Sequence, residues 1–190
     1  PKAVDDYLDL IDKFSKQKDN EKLLNPVWHV HNGNPPSEKI VMSFTMLLNL
    51  AGSSNANDKK ILWKFINRFH KDIKPQENII LDQLTNYAIN YFKDKLEPKK
   101  NYKKPDQLEK KALTALVDDL RNIKNELKPE EIQTLVYSAG KNNGYEKKLR
   151  DWFKLIYQVL FGEIDGPRIG YFISYFGLKE TIKLIEGKIK

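Results

Sequence analysis

Apolar residues recur along this chain at intervals of three and four, the signature of helices with one buried stripe. Val4, Leu8, Ile11 and Phe14 mark a first helix that ends near Lys18, where Asp19 and Asn20 break the pattern. The stretch Asn25 to Ser37 is rich in turn formers and reads as irregular, with Pro26 to Val30 extended. Ser37 can cap a second helix. Its apolar run, Ile40 to Ala51, is hydrophobic nearly all round and suits a central helix better than a strand. Gly52 to Asn57 reads as a turn, and the next helix places Ile61, Leu62, Phe65, Ile66 and Phe69 on one stripe.

Three later helices open with proline followed by acids, at Pro75, Pro105 and Pro129. Proline sacrifices no hydrogen bond in a first turn, and the acids complement the positive helix end. The helix after Pro75 is expected to reach Leu96, with Ile80, Leu84, Tyr87, Ala88 and Tyr91 inward. The next buries Leu108, Ala112, Ala115, Leu116, Leu120 and Ile123. The Pro129 helix buries Ile132, Leu135 and Val136 and ends by Gly144. Leu149, Trp152, Phe153, Ile156, Tyr157, Leu160 and Phe161 form the strongest stripe of the chain, stopped by Gly162. A short helix around Ile169 to Phe176 and a closing one from Leu178 to Ile189 follow. The expectation is an all-α fold, a multi-helix bundle of about nine helices, softly divided into an N-terminal part (1–97), a basic linker (98–104) and a C-terminal part (105–190).

Composition narrows the chemistry. Among 190 residues there is no cysteine, which removes disulfides, thiolate metal sites and thiol catalysis. No apolar run is long enough to span a membrane, and the N-terminal segment lacks the pattern of a signal peptide. The Pro1 start reads as a processed protein or an excised fragment. Thirty-three Lys and Arg against twenty-six Asp and Glu leave a net charge of +7. Two readings of that excess stand: a polyanion partner, or solubilising charge in a lysine-rich chain.

No glycine-rich phosphate loop, dinucleotide fingerprint or HExxH motif is present. His29 and His31 point the same way if their segment is extended, but they lack further ligands nearby, so no metal site is expected. Ser53 and Ser54 have no base beside them, and the acid pairs at Asp118-Asp119 and Glu130-Glu131 diverge on helices. No catalytic residue is identified.

Two basic–aromatic clusters remain. The linker Pro98 to Lys104 holds four lysines and a tyrosine without an acid, so it is either a polyanion contact or a solvated connection. In the second, Lys141, Lys147, Lys148, Arg150 and Lys154 surround Trp152 and Tyr157, and Arg168 opens a helix behind Gly166-Pro167. The aromatic residues there are either core or stacking platforms. Arg168 is either an anion contact assisted by helix N–H groups or half of an internal salt bridge.

Four strings carry a family resemblance: PKAVDDY (1–7), NPVWHVHNGNPP (25–36), VMSFTMLLNLAGSSNANDKKILWKFI (41–66) and YSAGKNNGYEKKLRDWFKLIYQVLFGEIDGPRIGYFISYFG (137–177). In this order and spacing they resemble the C-terminal region of class I lysyl-tRNA synthetases, over essentially the full chain. The resemblance implies a helix cage similar to the anticodon-binding region of glutamyl-tRNA synthetases, with tRNA(Lys) as partner through its anticodon stem-loop. It also implies that lysine and ATP are handled by a separate N-terminal catalytic domain, itself a partner, whose HIGH and KMSKS signatures are absent here. No cofactor is then expected in this chain, adenylate formation is expected to be missing, and the location would be cytoplasmic. The RNA-contact candidates are Lys103, Lys104, Lys141, Arg150, Trp152, Tyr157 and Arg168. A helical protein-interaction module without RNA binding is the alternative.

Overall fold

The computed structural model describes residues 1–190 and contains eleven α-helices, nine of them of seven residues or more, with no strand. They are α1 (Lys2–Lys16), α2 (Asp19–Lys22), α3 (Pro26–Val30), α4 (Phe44–Ser54), α5 (Lys59–Phe69), α6 (Ile79–Tyr91), α7 (Gln107–Arg121), α8 (Pro129–Gly140), α9 (Leu149–Leu160), α10 (Ile169–Phe176) and α11 (Leu178–Ile189). The all-α expectation holds.

Local signals decide several boundaries. Asp106 caps α7 by accepting from the Glu109 N–H at 2.9 Å, while the Glu109 carboxylate accepts from the Asp106 N–H. This reciprocal cap explains why the helix starts just after Pro105. Pro129 opens α8 as expected. Pro75 opens only a single 3₁₀ turn, Pro75–Glu77, before α6 begins.

Other boundaries depart from the sequence reading. Pro26–Val30 is helical rather than extended, because the Asn25 side chain accepts from Val27 N–H at 3.0 Å with Pro26 in the first turn. The central helix begins at Phe44, not near Ser37. Ser43 caps it by accepting from Met46 N–H. Asp5 reaches over from α1 to accept from the Phe44 N–H and the Thr45 hydroxyl, both at 2.5 Å. A carboxylate supplied 39 residues away satisfies helix-start donors that no local motif announces.

The buried face of α6 is rotated by one residue from the expected stripe. Leu81, Thr85, Ala88 and Ile89 are buried, whereas Tyr87 is 58% exposed and Tyr91 also reaches solvent. Thr85 and Ala88 are small, and both are fully buried where α6 faces α4. On α7, Leu108 is 80% exposed against expectation, while Leu113 and Val117 join the core.

One contiguous cluster of 37 buried apolar residues runs through both halves of the chain. Polar contacts reinforce the junction. The Arg68 guanidinium donates to Phe176 O at the end of α10 and lies 3.2 Å from Glu180. His70 Nε2 and the Tyr175 hydroxyl are 2.9 Å apart, and that hydroxyl donates to Val41 O at 3.1 Å. With its proton committed to Val41, the Tyr175 oxygen accepts from His70 Nε2–H.

Candidate nucleic-acid interface

Helices α7 to α10 and the segments just before and between them carry all the sequence candidates, toward the C-terminal end of the chain. Helix α9 is the ridge. Arg150, Lys154 and Tyr157 lie four and three residues apart on one face of it. On one flank, α7 and the wide turn Lys141–Tyr145 border an open groove of about 730 Å³. Lys103, Lys111, Lys148 and Lys154 line it, with the amides of Asn142 and Asn143. Its carboxylates are Asp106, Glu109 and Asp151. Two of these are already engaged, Asp106 as a cap and Glu109 with both Lys103 and the Asp106 backbone.

The turn 141–145 exists because Gly144 takes φ +94°, a conformation that other residues adopt only with strain. It swings the chain between α8 and α9 and leaves Lys141 on the exposed surface. From Lys141 to Lys154 the chain carries five cations against two acids, so this end is locally positive.

The candidates divide by their surroundings. Lys104, Lys141, Arg150 and Arg168 are exposed. Of the four arginines, Arg68 and Arg121 are ion-paired with glutamates, whereas Arg150 and Arg168 have no ion pair. The internal salt bridge considered for Arg168 is therefore absent. Lys103 is exposed but paired with Glu109, and its backbone N–H donates to Gln158 O at 3.1 Å.

Trp152 is a correction. It is fully buried, its Nε1–H donates to Val136 O at 2.9 Å, and its indole fills the space left by the missing Cβ of Gly140. It cannot stack on an RNA base, and it belongs to the core that sets the distance between α8 and α9. Tyr157 is half-buried, with its hydroxyl donating to Pro167 O at 2.9 Å. Burial pushes that phenol up to about 12, so it stays a neutral donor.

The sequence reading missed Tyr137. It is 42% exposed and packs edge-on against Phe153 with ring centroids 4.7 Å apart. Phe153 in turn leans on Tyr157. The outer end of this aromatic row, rather than Trp152, meets solvent. The available signal was an aromatic residue one position from the buried stripe of the α8 pattern.

The linker is not a free strand of charge. The Lys100 side chain is only 7% exposed and lies 2.6 Å from Glu163. Asn101 N–H donates to Gly162 O at 3.2 Å. Lys188 sits 3.6 Å above the Tyr102 ring and occupies one of its faces.

The histidine pair does not converge. His29 Nε2 bonds to Leu23 O at 2.8 Å, and His31 Nε2 bonds to the Tyr7 hydroxyl at 2.6 Å. No group of three metal-ligating side chains occurs, and no helix is long and apolar enough to cross a membrane. At the start of α10 the Gly170 N–H donates to Gln133 Oε1 at 2.9 Å.

No protein-family model matches the chain. Curated relatives do. A protein named lysine–tRNA ligase from Roseobacter denitrificans is 39% identical over 189 residues, which is all of this chain and 36% of the relative. Proteins of the same name from Rickettsia felis and Rickettsia bellii are each 40% identical over 191 residues, again covering all of this chain and 36% of theirs. The chain thus spans about a third of the length of the curated relatives it matches, and along its entire length it is related to that part of the lysine–tRNA ligases.

Proposed function

We propose that this chain is the helical, tRNA-binding C-terminal region of a class I lysine–tRNA ligase, and that its α7–α10 end receives the anticodon stem-loop of tRNA(Lys). The observation that carries the reading is the end-to-end similarity to proteins named lysine–tRNA ligase. The positive end built by α9 and its flanks supplies a surface on which RNA binding makes physical sense.

Lys104, Lys141 and Arg150 are exposed and in this reading meet phosphates, since phosphate contacts fix register and supply most of the affinity. Lys103 contributes less, because Glu109 already holds its charge. Loop bases that leave their stack meet the aromatic row at Tyr137 and the arginine at Arg168. Tyr157 shapes this surface by holding the peptide before Arg168. Activation of lysine with ATP belongs, in this reading, to a catalytic domain outside these residues, with which this region works in the cytoplasm. Residues 98–104 then connect an N-terminal part (1–97) facing that domain with the RNA-binding part (105–190).

The test is a titration of the 190-residue protein into labelled tRNA(Lys) at about 100 mM salt, beside a tRNA altered only at the second and third anticodon letters. A preference of about tenfold or more for the natural loop, roughly 1.4 kcal/mol, supports the reading. Absence of binding to either tRNA refutes it. Pyrophosphate exchange with lysine and ATP is expected to stay at background. Exchange above it would place activation chemistry within this chain.

A further inference from the structure

Asparagine followed by glycine occurs twice in the chain, at Asn32-Gly33 and Asn143-Gly144. The pair is chemically labile, because glycine has no side chain to shield its backbone nitrogen from the neighbouring carboxamide. The two pairs sit in opposite surroundings. At the first, the Gly33 N–H donates to Trp28 O at 2.8 Å, and a methyl group on Gly33 would stand 3.1 Å from the Trp28 ring. The attacking nitrogen is tied down and packed against an indole. At the second, Gly144 is exposed, and a methyl group there would meet nothing within 4 Å. No neighbouring side chain opposes rotation of the peptide that would bring the Gly144 nitrogen to Asn143 Cγ.

Asn143 is also placed where its charge matters. Its Nδ2–H donates to Ala139 O at 2.8 Å, at the end of α8. It lines the open groove beside α9, where Lys103, Lys111, Lys148 and Lys154 stand against Asp106, Glu109 and Asp151. Four cations and three anions leave one positive charge in excess, so a single new carboxylate brings the lining to neutrality.

We infer that Asn143 is a site of spontaneous deamidation, and that its conversion cancels the excess positive charge of the groove and weakens RNA binding. Hydroxide takes the Gly144 N–H proton, and the nitrogen bonds to Asn143 Cγ. The Cγ–Nδ2 bond breaks, the departing nitrogen takes a proton from water and leaves as ammonia, and a cyclic imide remains. Water then opens the imide at either carbonyl. The product is aspartate, or isoaspartate with the main chain rerouted through the former side chain. Either product loses the donor that serves Ala139 O and adds one negative charge. The effect on affinity rests on the RNA-binding reading above, whereas the deamidation itself does not.

The experiment is incubation of the folded 190-residue protein in warm, mildly alkaline buffer, beside the same protein unfolded in urea, with peptide mass spectrometry at both asparagines. In the folded protein Asn143 should convert about tenfold or more faster than Asn32, whose reaction waits on local opening. In urea the two rates should come together, because both glycines are then free. Asn143→Asp reproduces the charge of the product and should bind tRNA(Lys) about threefold or more weakly, the effect of one unit charge several ångströms from a phosphate at high dielectric. Asn143→Gln keeps a neutral amide and should bind as wild type does. Melting temperatures show whether each variant is folded, and if Asn143→Asp is not, fresh and incubated wild-type protein are compared instead. Conversion of Asn32 as fast as Asn143 in the folded protein, or an intact Asn143 after the urea sample has reacted, overturns the site. Deamidation without a fall in tRNA affinity overturns its effect on the groove. Failure of fresh wild-type protein to bind tRNA(Lys) refutes the RNA-binding reading and the affinity effect with it, and leaves the modification site standing.

Discussion

Replacing Trp152 with phenylalanine separates a core role from an RNA-stacking role. The indole is fully buried, donates to Val136 O at 2.9 Å and packs 5.3 Å from the Tyr145 ring centroid. Phenylalanine keeps an aromatic ring but loses the N–H, which costs about 1 kcal/mol for a buried hydrogen bond. It also leaves part of the indole space empty. Complete truncation of a buried tryptophan costs ~3–5 kcal/mol, so the partial void contributes about 1 kcal/mol more. The expected loss is about 2 kcal/mol, equivalent to a fall in melting temperature of roughly 4–8 °C for a chain of this size. Thermal unfolding followed by circular dichroism reads this directly, and a titration below the transition reads RNA affinity. Affinity of the folded variant should stay within about twofold. An unchanged melting temperature together with a tenfold loss of RNA affinity would put the indole at the RNA surface and refute the reasoning.

Other consequences can be read with the same two assays. Asp5→Ala removes the carboxylate that serves the start of α4 and should cost about 1–2 kcal/mol in thermal unfolding. An unchanged midpoint would mean that Ser43 caps the helix unaided. For His70, burial and then the charge of Lys39 outweigh the Val41 and Asp72 contributions and hold it below its ordinary 6.5. The unfolded chain then binds the proton more readily, so the contribution of neutral His70 is complete above that value and declines as pH falls below it. Wild-type protein should lose more melting temperature between about pH 7.5 and about pH 5.5 than His70→Gln, which retains an N–H for Tyr175. Equal losses would remove His70 from the acid response. Lys104→Ala and Lys141→Ala should each lower the slope of log affinity against log salt by about one, and Lys103→Ala by less. Unaltered slopes would place the phosphates elsewhere.

How far the sequence could be read depended on the range of the interaction involved. The Pro105-Asp106 and Pro129 helix starts were legible because proline, cap and acids lie within five residues of one another. The start of α4 was not, because its second cap is Asp5 on another helix. On α6, the expected stripe Ile80-Leu84-Tyr87-Ala88-Tyr91 and the buried set Leu81-Thr85-Ala88-Ile89 share Ala88 and otherwise lie about one residue apart. Which one is buried follows from Thr85 and Ala88 being small where α4 approaches. The candidate interface was legible as a region, since Lys141 to Lys154 is basic in sequence as well as in space. Its details depended on tertiary pairing. Glu109 holds Lys103, Lys188 covers a face of Tyr102, and Gly140 admits the Trp152 indole. Tyr137 reaches solvent because Phe153, on another helix, packs behind it.

The central claim is that the α7–α10 end carries the RNA, and the most direct measurement is amide hydrogen exchange of the 190-residue protein with and without tRNA(Lys). The account predicts slowed exchange in peptides covering 103–111, 137–158 and 166–171, with α1 to α3 unaffected. Protection confined to α1 to α3, or unchanged exchange at saturating tRNA, would contradict it.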